Sequence, residues 1–238
     1  MFGLGTIINV ACVVVGGILG MLVGKLISES LRDTLTKAMG VSVLFIGIAG
    51  ALEKMFTVGE GGILVSDGTM MLIISIAIGT VIGELCHVED YIEKFGAWLK
   101  EKTGNAKDKN FIDGFVTASL TTCIGAMAVV GSMEDGMFGD YSILAAKAVL
   151  DLIIVMIMTS SMGKGCAFAA IPIAIFQGVI TIIAHFAGTF VSDATLHNIS
   201  LVGSVLIFCV GVNLVWGKLI KVANILPALI VASLMTLL

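Results

Sequence analysis

The most constraining feature of this chain is the recurrence of apolar stretches about as long as a bilayer is thick. Residues 3–24, 165–190, 197–217 and 222–238 contain no Asp, Glu, Lys or Arg. A helix needs about twenty apolar residues to cross the hydrocarbon core, and a water-facing fold has nowhere to hide several such stretches. Composition agrees: 58% of the 238 residues are hydrophobic, 13% are charged and the mean hydropathy is +1.11, against roughly 25% charged in soluble domains. The sequence therefore predicts an all-α, polytopic transmembrane helical bundle in contact with the lipid bilayer. Twenty-nine glycines against two prolines fit closely packed helices. The apolar run at residues 1–24 lacks a basic n-region and a small-residue cleavage site, so no cleaved signal peptide is expected.

Eight spans follow, at residues 3–24, 39–56, 69–86, 111–131, 141–162, 165–190, 197–217 and 222–238, treated as a single transmembrane domain of residues 1–238. The last is short, which leaves seven as the alternative count. With the N-terminus outside, eleven of the 13 basic residues fall on the inner side: Lys25, Arg32, Lys37, Lys94, Lys100, Lys102, Lys107, Lys109, Lys164, Lys218 and Lys221. Acidic Glu53, Glu60, Asp67, Glu134, Asp135, Asp140 and Asp193 fall outside, and this asymmetry predicts that both termini are extracytoplasmic. Two inner segments, 28–38 and 88–100, are amphipathic; the second carries Tyr91, Phe95 and Trp98 on one face. Both are expected to be interfacial helices.

Soluble-enzyme signatures are missing: the sequence contains no HExxH, GxSxG or GxxxxGK[ST]. No catalytic residue, metal site, cofactor or nucleic-acid partner is assigned, and the chain is read as a non-enzyme. The five cysteines form no CxxC and read as small packing residues. Glu84-x-x-His87 sits at a membrane exit and reads as solvated charge, while His185 and His197 flank the outer segment around Asp193.

Polar groups inside the spans are more informative, because hydrocarbon penalises them. Lys147 and Asp151 lie i,i+4 in the fifth span and share a helix face. The sixth span carries a small and polar stripe, Ala170, Ala174, Gln177, Thr181, Ala184 and Gly188, with Pro172 near its start. The fourth has Gly114, Ala118, Thr122, Gly125 and Ser132, with Thr121 alongside, and ends in the glycine-rich acidic segment GSMEDGMFGD (131–140), read as an outer turn. These three spans are expected to line a pathway. Asp151 and Lys147 would supply charge, and Thr121, Thr122, Gln177 and Thr181 neutral ligands. The competing reading is a buried pair that locks the bundle. GxxxG faces at Gly20/Gly24 and Gly79/Gly83 let backbones approach closely, which suggests a homo-oligomer. An echo between Gly20–Leu26 and Gly79–Leu85 hints at an internal duplication.

The segments GTIINVACVVVGGILGMLVGK (5–25), TTCIGAMAVVGSMEDG (121–136), LAAKAVLD (144–151) and AAIPIAIFQG (169–178) together resemble the YdfK/YqgA family of uncharacterised bacterial inner-membrane proteins, over essentially the whole chain. The resemblance implies a multi-pass protein of the bacterial inner membrane and carries no mechanism with it. The functional expectation is a channel or secondary transporter for a small solute or ion. The alternative is a structural or regulatory membrane protein without transport activity.

Overall fold

The computed structural model describes residues 2–26, 28–58, 62–124, 126–187 and 192–237. It is a helical protein. Five helical stretches are long and apolar enough to cross a membrane, and the count reaches seven if two bent helix pairs are each taken as one span. Packing falls into two compact units, Met1–Met39 with Ile92–Cys123 and Met127–Phe190, and Gly40–Tyr91 with Ile124–Ala126 and Val191–Leu238.

The first unit is organised around α1 (Leu4–Gly24) and α7 (Ser142–Met162). The inward face of α1 is built from Gly5, Thr6, Asn9, Val13, Gly16, Gly17, Gly20 and Gly24, whereas Ile7, Val14, Val15, Ile18 and Leu22 are exposed. Small and polar inside with large and apolar outside is the pattern of a helix whose outer solvent is lipid. A Cβ on Gly16, Gly20 or Gly24 would meet the backbone of Leu152, Met156 or Ser160, so the two helices run parallel in close contact. The Gly20/Gly24 face expected to serve between protomers is therefore occupied within the chain. Phe111 and Phe115 of α5 (Phe111–Cys123) and Ile173 of α8 (Ala170–Ala187) add the large buried side chains.

Several boundaries differ from expectation. Residues 28–38 do not form a separate interfacial helix; they are continuous with the second span in α2 (Glu29–Met55). The sequence offers no proline to stop it, Lys37 pairs with Asp33 at 2.7 Å along it, and Arg32 donates to the carbonyl of Gly24 at the end of α1. The predicted fourth span is divided. α5 stops at Cys123, and α6 (Ala126–Phe138) carries the helix through the acidic segment that was expected to be a turn. Before α8, residues Lys164–Ala169 form a 3-10 segment; Pro172 lacks the N–H that would bond one turn back, which favours a break there.

The second unit pairs α2 with α9 (Asp193–Trp216), and α3 (Thr69–Leu85) with α10 (Val222–Ile225) and α11 (Pro227–Leu234). A Cβ on Gly47 would meet Phe208 and Ser204, and one on Gly79 or Gly83 would meet Ala228 or Asn224. The Gly79/Gly83 face is thus also filled from within the chain. Pro227 divides the eighth predicted span into two short helices by removing a donor. A two-stranded antiparallel hairpin, β1 (Phe56–Val58) with β2 (Leu64–Ser66), follows α2 and was not anticipated. The second amphipathic segment is α4 (Val88–Lys102), with Tyr91 and Trp98 exposed.

Candidate functional site

Four helices of the first unit bring polar side chains to a common interior. α7 contributes Lys147 and Asp151, one helical turn apart on its buried face. The Lys147 ammonium donates to both carboxylate oxygens of Asp151, at 2.8 and 2.7 Å, and both residues are buried, at 8% and 2% exposure. In hydrocarbon such a pair holds only if each charge is met by the other, and the bidentate geometry achieves that.

α1 adds Asn9, which is fully buried. Its Nδ2 donates to Asp151 Oδ2 at 3.1 Å and to Gln177 Oε1 at 3.3 Å. Asn9 therefore connects the ion pair on α7 to α8. One turn closer to the N-terminus of α1, Thr6 and Thr181 share a hydrogen bond between their hydroxyls at 3.2 Å. Beyond them Asp135 of α6, also fully buried, accepts the backbone N–H groups of Gly5 (3.0 Å) and Thr6 (3.3 Å) through Oδ2. Its carboxylate completes the open N-terminus of α1, where orphan donors and the helix dipole favour negative charge. Next to it, the ring of His185 contacts the carbonyl of Gly136 through Nδ1 at 3.0 Å and stacks on Phe2.

The chemistry of this thread is incomplete. Among the described residues, Asn9 Oδ1, Gln177 Nε2 and Asp135 Oδ1 are buried without a hydrogen-bond partner. Buried polar atoms are almost always paired, because leaving one unmet costs roughly 1–3 kcal/mol. An acceptor and a donor are thus left open on two hydrogen-bonded amides beside the ion pair.

Of the residues predicted from sequence, Lys147, Asp151, Gln177 and Thr181 enter this thread. Thr121 and Thr122 do not: their hydroxyls donate to the carbonyls of Thr117 and Ala118 in their own helix, at 2.8 and 2.7 Å. Thr122 is nevertheless buried. Gly125 and Gly188 of the predicted stripes lie outside the described residues. Asn9, Thr6 and Asp135 also join the thread, and the sequence reading does not single them out. The signal for Asn9 was present, a lone carboxamide within an otherwise apolar span. Elsewhere, no cluster of three or more His, Cys, Asp or Glu residues suited to a metal occurs among the described residues.

These features define a membrane protein built as a helical bundle with a buried, hydrogen-bonded ion pair at its interior. The chain belongs to the family described as "Protein of unknown function (DUF554)", whose model matches residues 4–237. It is 28% identical over 227 residues to the uncharacterized membrane protein YdfK of Bacillus subtilis (strain 168), covering 95% of this chain and 93% of the relative. It is also 28% identical over 233 residues to the uncharacterized protein YqgA of Escherichia coli (strain K12), covering 96% and 94%. No solved structure matches the chain.

Proposed function

We propose that this protein is a channel or secondary transporter for a small solute or ion in the bacterial inner membrane, with its pathway among α1, α6, α7 and α8 of the first unit. The single observation that carries the reading is the pair of open amide atoms, Asn9 Oδ1 and Gln177 Nε2, beside the Lys147–Asp151 pair. A group whose only task was to lock the bundle would gain by closing those valences, whereas a transport site keeps them for its cargo. Asp151 is the charge-bearing ligand. Lys147 keeps it ionised until a competing cation or proton displaces the ammonium, and Asn9 and Gln177 orient the exchange. No enzymatic step is assigned.

The second reading, a structural or regulatory membrane protein, draws support from a different observation. Lys147 and Asp151 neutralise one another almost completely out of contact with solvent, which a lock requires. Homo-oligomer formation stays part of the proposal, but without the glycine faces as its basis, since both are filled within the chain. Thermal unfolding of the purified protein, screened over inorganic ions and small metabolites, tests the transport reading. A cargo raises the melting temperature of the wild type and leaves that of an Asn9→Ala, Gln177→Ala variant unmoved. Equal shifts in both proteins would refute the site.

A further inference from the structure

Lysines gather at one end of the first unit. Lys100 and Lys102 lie in the last turn of α4, Lys107 and Lys109 in the segment that leads into α5, and Lys164 just beyond α7. Turns fold the segment after α4 tightly: the N–H of Asn105 donates to the carbonyl of Lys100 at 3.0 Å, and that of Asp108 to the carbonyl of Asn105 at 2.9 Å. Asp108 is half-buried. Its Oδ1 accepts the Asn110 N–H at 3.1 Å, and a Cβ on Gly163 would stand 3.4 Å from its Oδ2. Lys107 and Lys109 flank Asp108, and Lys164 follows Gly163, so this one contact sets three lysines around it. Lys102, Lys107, Lys109 and Lys164 are exposed and enter no ion pair among the described residues.

The position of the patch in the fold identifies its partner. The end of α7 packs on the end of α1, where a Cβ on Gly24 would meet Ser160, and Lys164 begins the next apolar stretch, Lys164–Phe186. Lys164 therefore stands between two candidate spans, at the depth of the lipid headgroups. Trp98, one turn before Lys102 on α4, is exposed and stacks on Phe95, and indole rings favour that same depth. The carboxylates of this stretch are Glu101, Asp108 and Asp113, three against five lysines. Ammonium groups at a membrane surface attract anionic headgroups. We propose that Lys102, Lys107, Lys109 and Lys164, beside Trp98, bind the phosphate groups of an anionic phospholipid. The patch continues the surface that the spans present to the bilayer. A surplus of lysine also orients a chain in the membrane, but orientation needs only the charges, not their placement around Asp108 and Gly163. Lys37, paired with Asp33 at 2.7 Å on α2, supplies the contrast.

The experiment is thermal unfolding of the purified full chain in a neutral detergent, with phosphatidylglycerol or phosphatidylcholine added at the same mole fraction, in low and in high salt. Phosphatidylglycerol raises the melting temperature of the wild type above its value in phosphatidylcholine, and high salt narrows the difference. Lys107→Gln, Lys109→Gln and Lys164→Gln each raise the phosphatidylglycerol needed for half-maximal stabilisation by about fivefold, and the triple variant loses the difference between the lipids. All three side chains are exposed, so their replacement disturbs no packing. Lys37→Gln removes a positive charge outside the patch and keeps the wild-type response. Equal melting in the two lipids overturns the proposal and leaves the lysines with orientation alone. So does a response that survives in the triple variant, one lost equally in Lys37→Gln, or one that inorganic phosphate reproduces without lipid.

Discussion

Asn9 and Asp151, 142 residues apart in the chain, meet across the contact of α1 and α7, where the carboxamide donates to the carboxylate at 3.1 Å. The same nitrogen reaches Gln177 on α8, so one side chain ties three helices. Asn9→Leu keeps the apolar character of the span while removing both bonds. It should destabilise the protein by roughly 1–3 kcal/mol, because Gln177 Oε1 and Asp151 Oδ2 each lose a buried partner. Chemical denaturation in detergent measures the change. A double-mutant cycle with Gln177→Leu should return a coupling of about 0.5–3 kcal/mol; strict additivity would mean the two amides do not interact.

The glycines of α1 and α3 act inside the chain. Gly20→Val should abolish accumulation of folded protein, since its Cβ would meet the Met156 carbonyl and the Thr159 side chain. Gly79→Leu should do the same through the Ala228 backbone, and without altering the oligomeric state of what survives. Gly178 is the internal control: it is a helix-interior glycine with open space where a Cβ would go. Gly178→Ala should stabilise by about 0.5–1 kcal/mol. Size-exclusion profiles of the three variants check all of this, and a well-folded Gly20→Val would contradict the packing of α1 on α7.

How much of this was legible beforehand differs residue by residue. Lys147 and Asp151 announced themselves, because charges four apart in an apolar span have one economical arrangement. Asn9 gives a weak signal because a single amide among valines and isoleucines changes the mean hydropathy little, and its partners lie on helices that sequence spacing does not bring together. The local pattern of glycine and acid around Asp135 reads as an acidic turn and does not disclose that α6 continues through it and delivers it to the start of α1. The threonines of α5 fell on the predicted face, but a hydroxyl in a helix has a carbonyl of its own turn within reach, and that nearer acceptor won. The interfacial helix at 28–38 does not form separately because no stop signal precedes Gly40, and α2 runs on without a break.

His87, between α3 and α4, is the one non-glycine residue with positive φ among the described residues (52°). A left-handed conformation costs an L-residue roughly 1–2 kcal/mol. Its ring lies 3.7 Å from Asp90 and is mostly exposed, so little is lost with the side chain. His87→Gly should be neutral or stabilise by up to about 1 kcal/mol. A clear drop in melting temperature would show that the imidazole has a task beyond the turn.

In the second unit Lys221 donates to Glu84 at 2.8 Å, and Asn224 joins the same carboxylate. The hydrogen bond to Glu84 holds the Lys221 ammonium above the ordinary lysine range. A raised folded-state value means that the contribution to stability is fully present below the unfolded lysine pKa, near 10.4, and is lost as pH rises through the folded value. The pair is exposed, so salt should weaken it. Lys221→Met should therefore melt slightly below the wild type at neutral pH in low salt, with the difference closing in high salt and in strong alkali. A difference that persists in both would point to packing of the lysine stem instead of charge.

The most direct test of the central claim uses four proteins, the wild type, Asp151→Asn, Lys147→Met and the double variant, with melting temperature and flux measured on each. Radioactive sodium uptake and a pH-sensitive dye in proteoliposomes report flux. Asp151→Asn strands a buried ammonium and should destabilise on the order of 3–5 kcal/mol; Lys147→Met strands the carboxylate with a similar loss. The double variant removes both charges and should melt close to the wild type. If the pair lies on the pathway, that restored protein carries no flux while the wild type does. Full flux in the double variant, or none in the wild type, would contradict the assignment of Lys147 and Asp151 to a transport pathway.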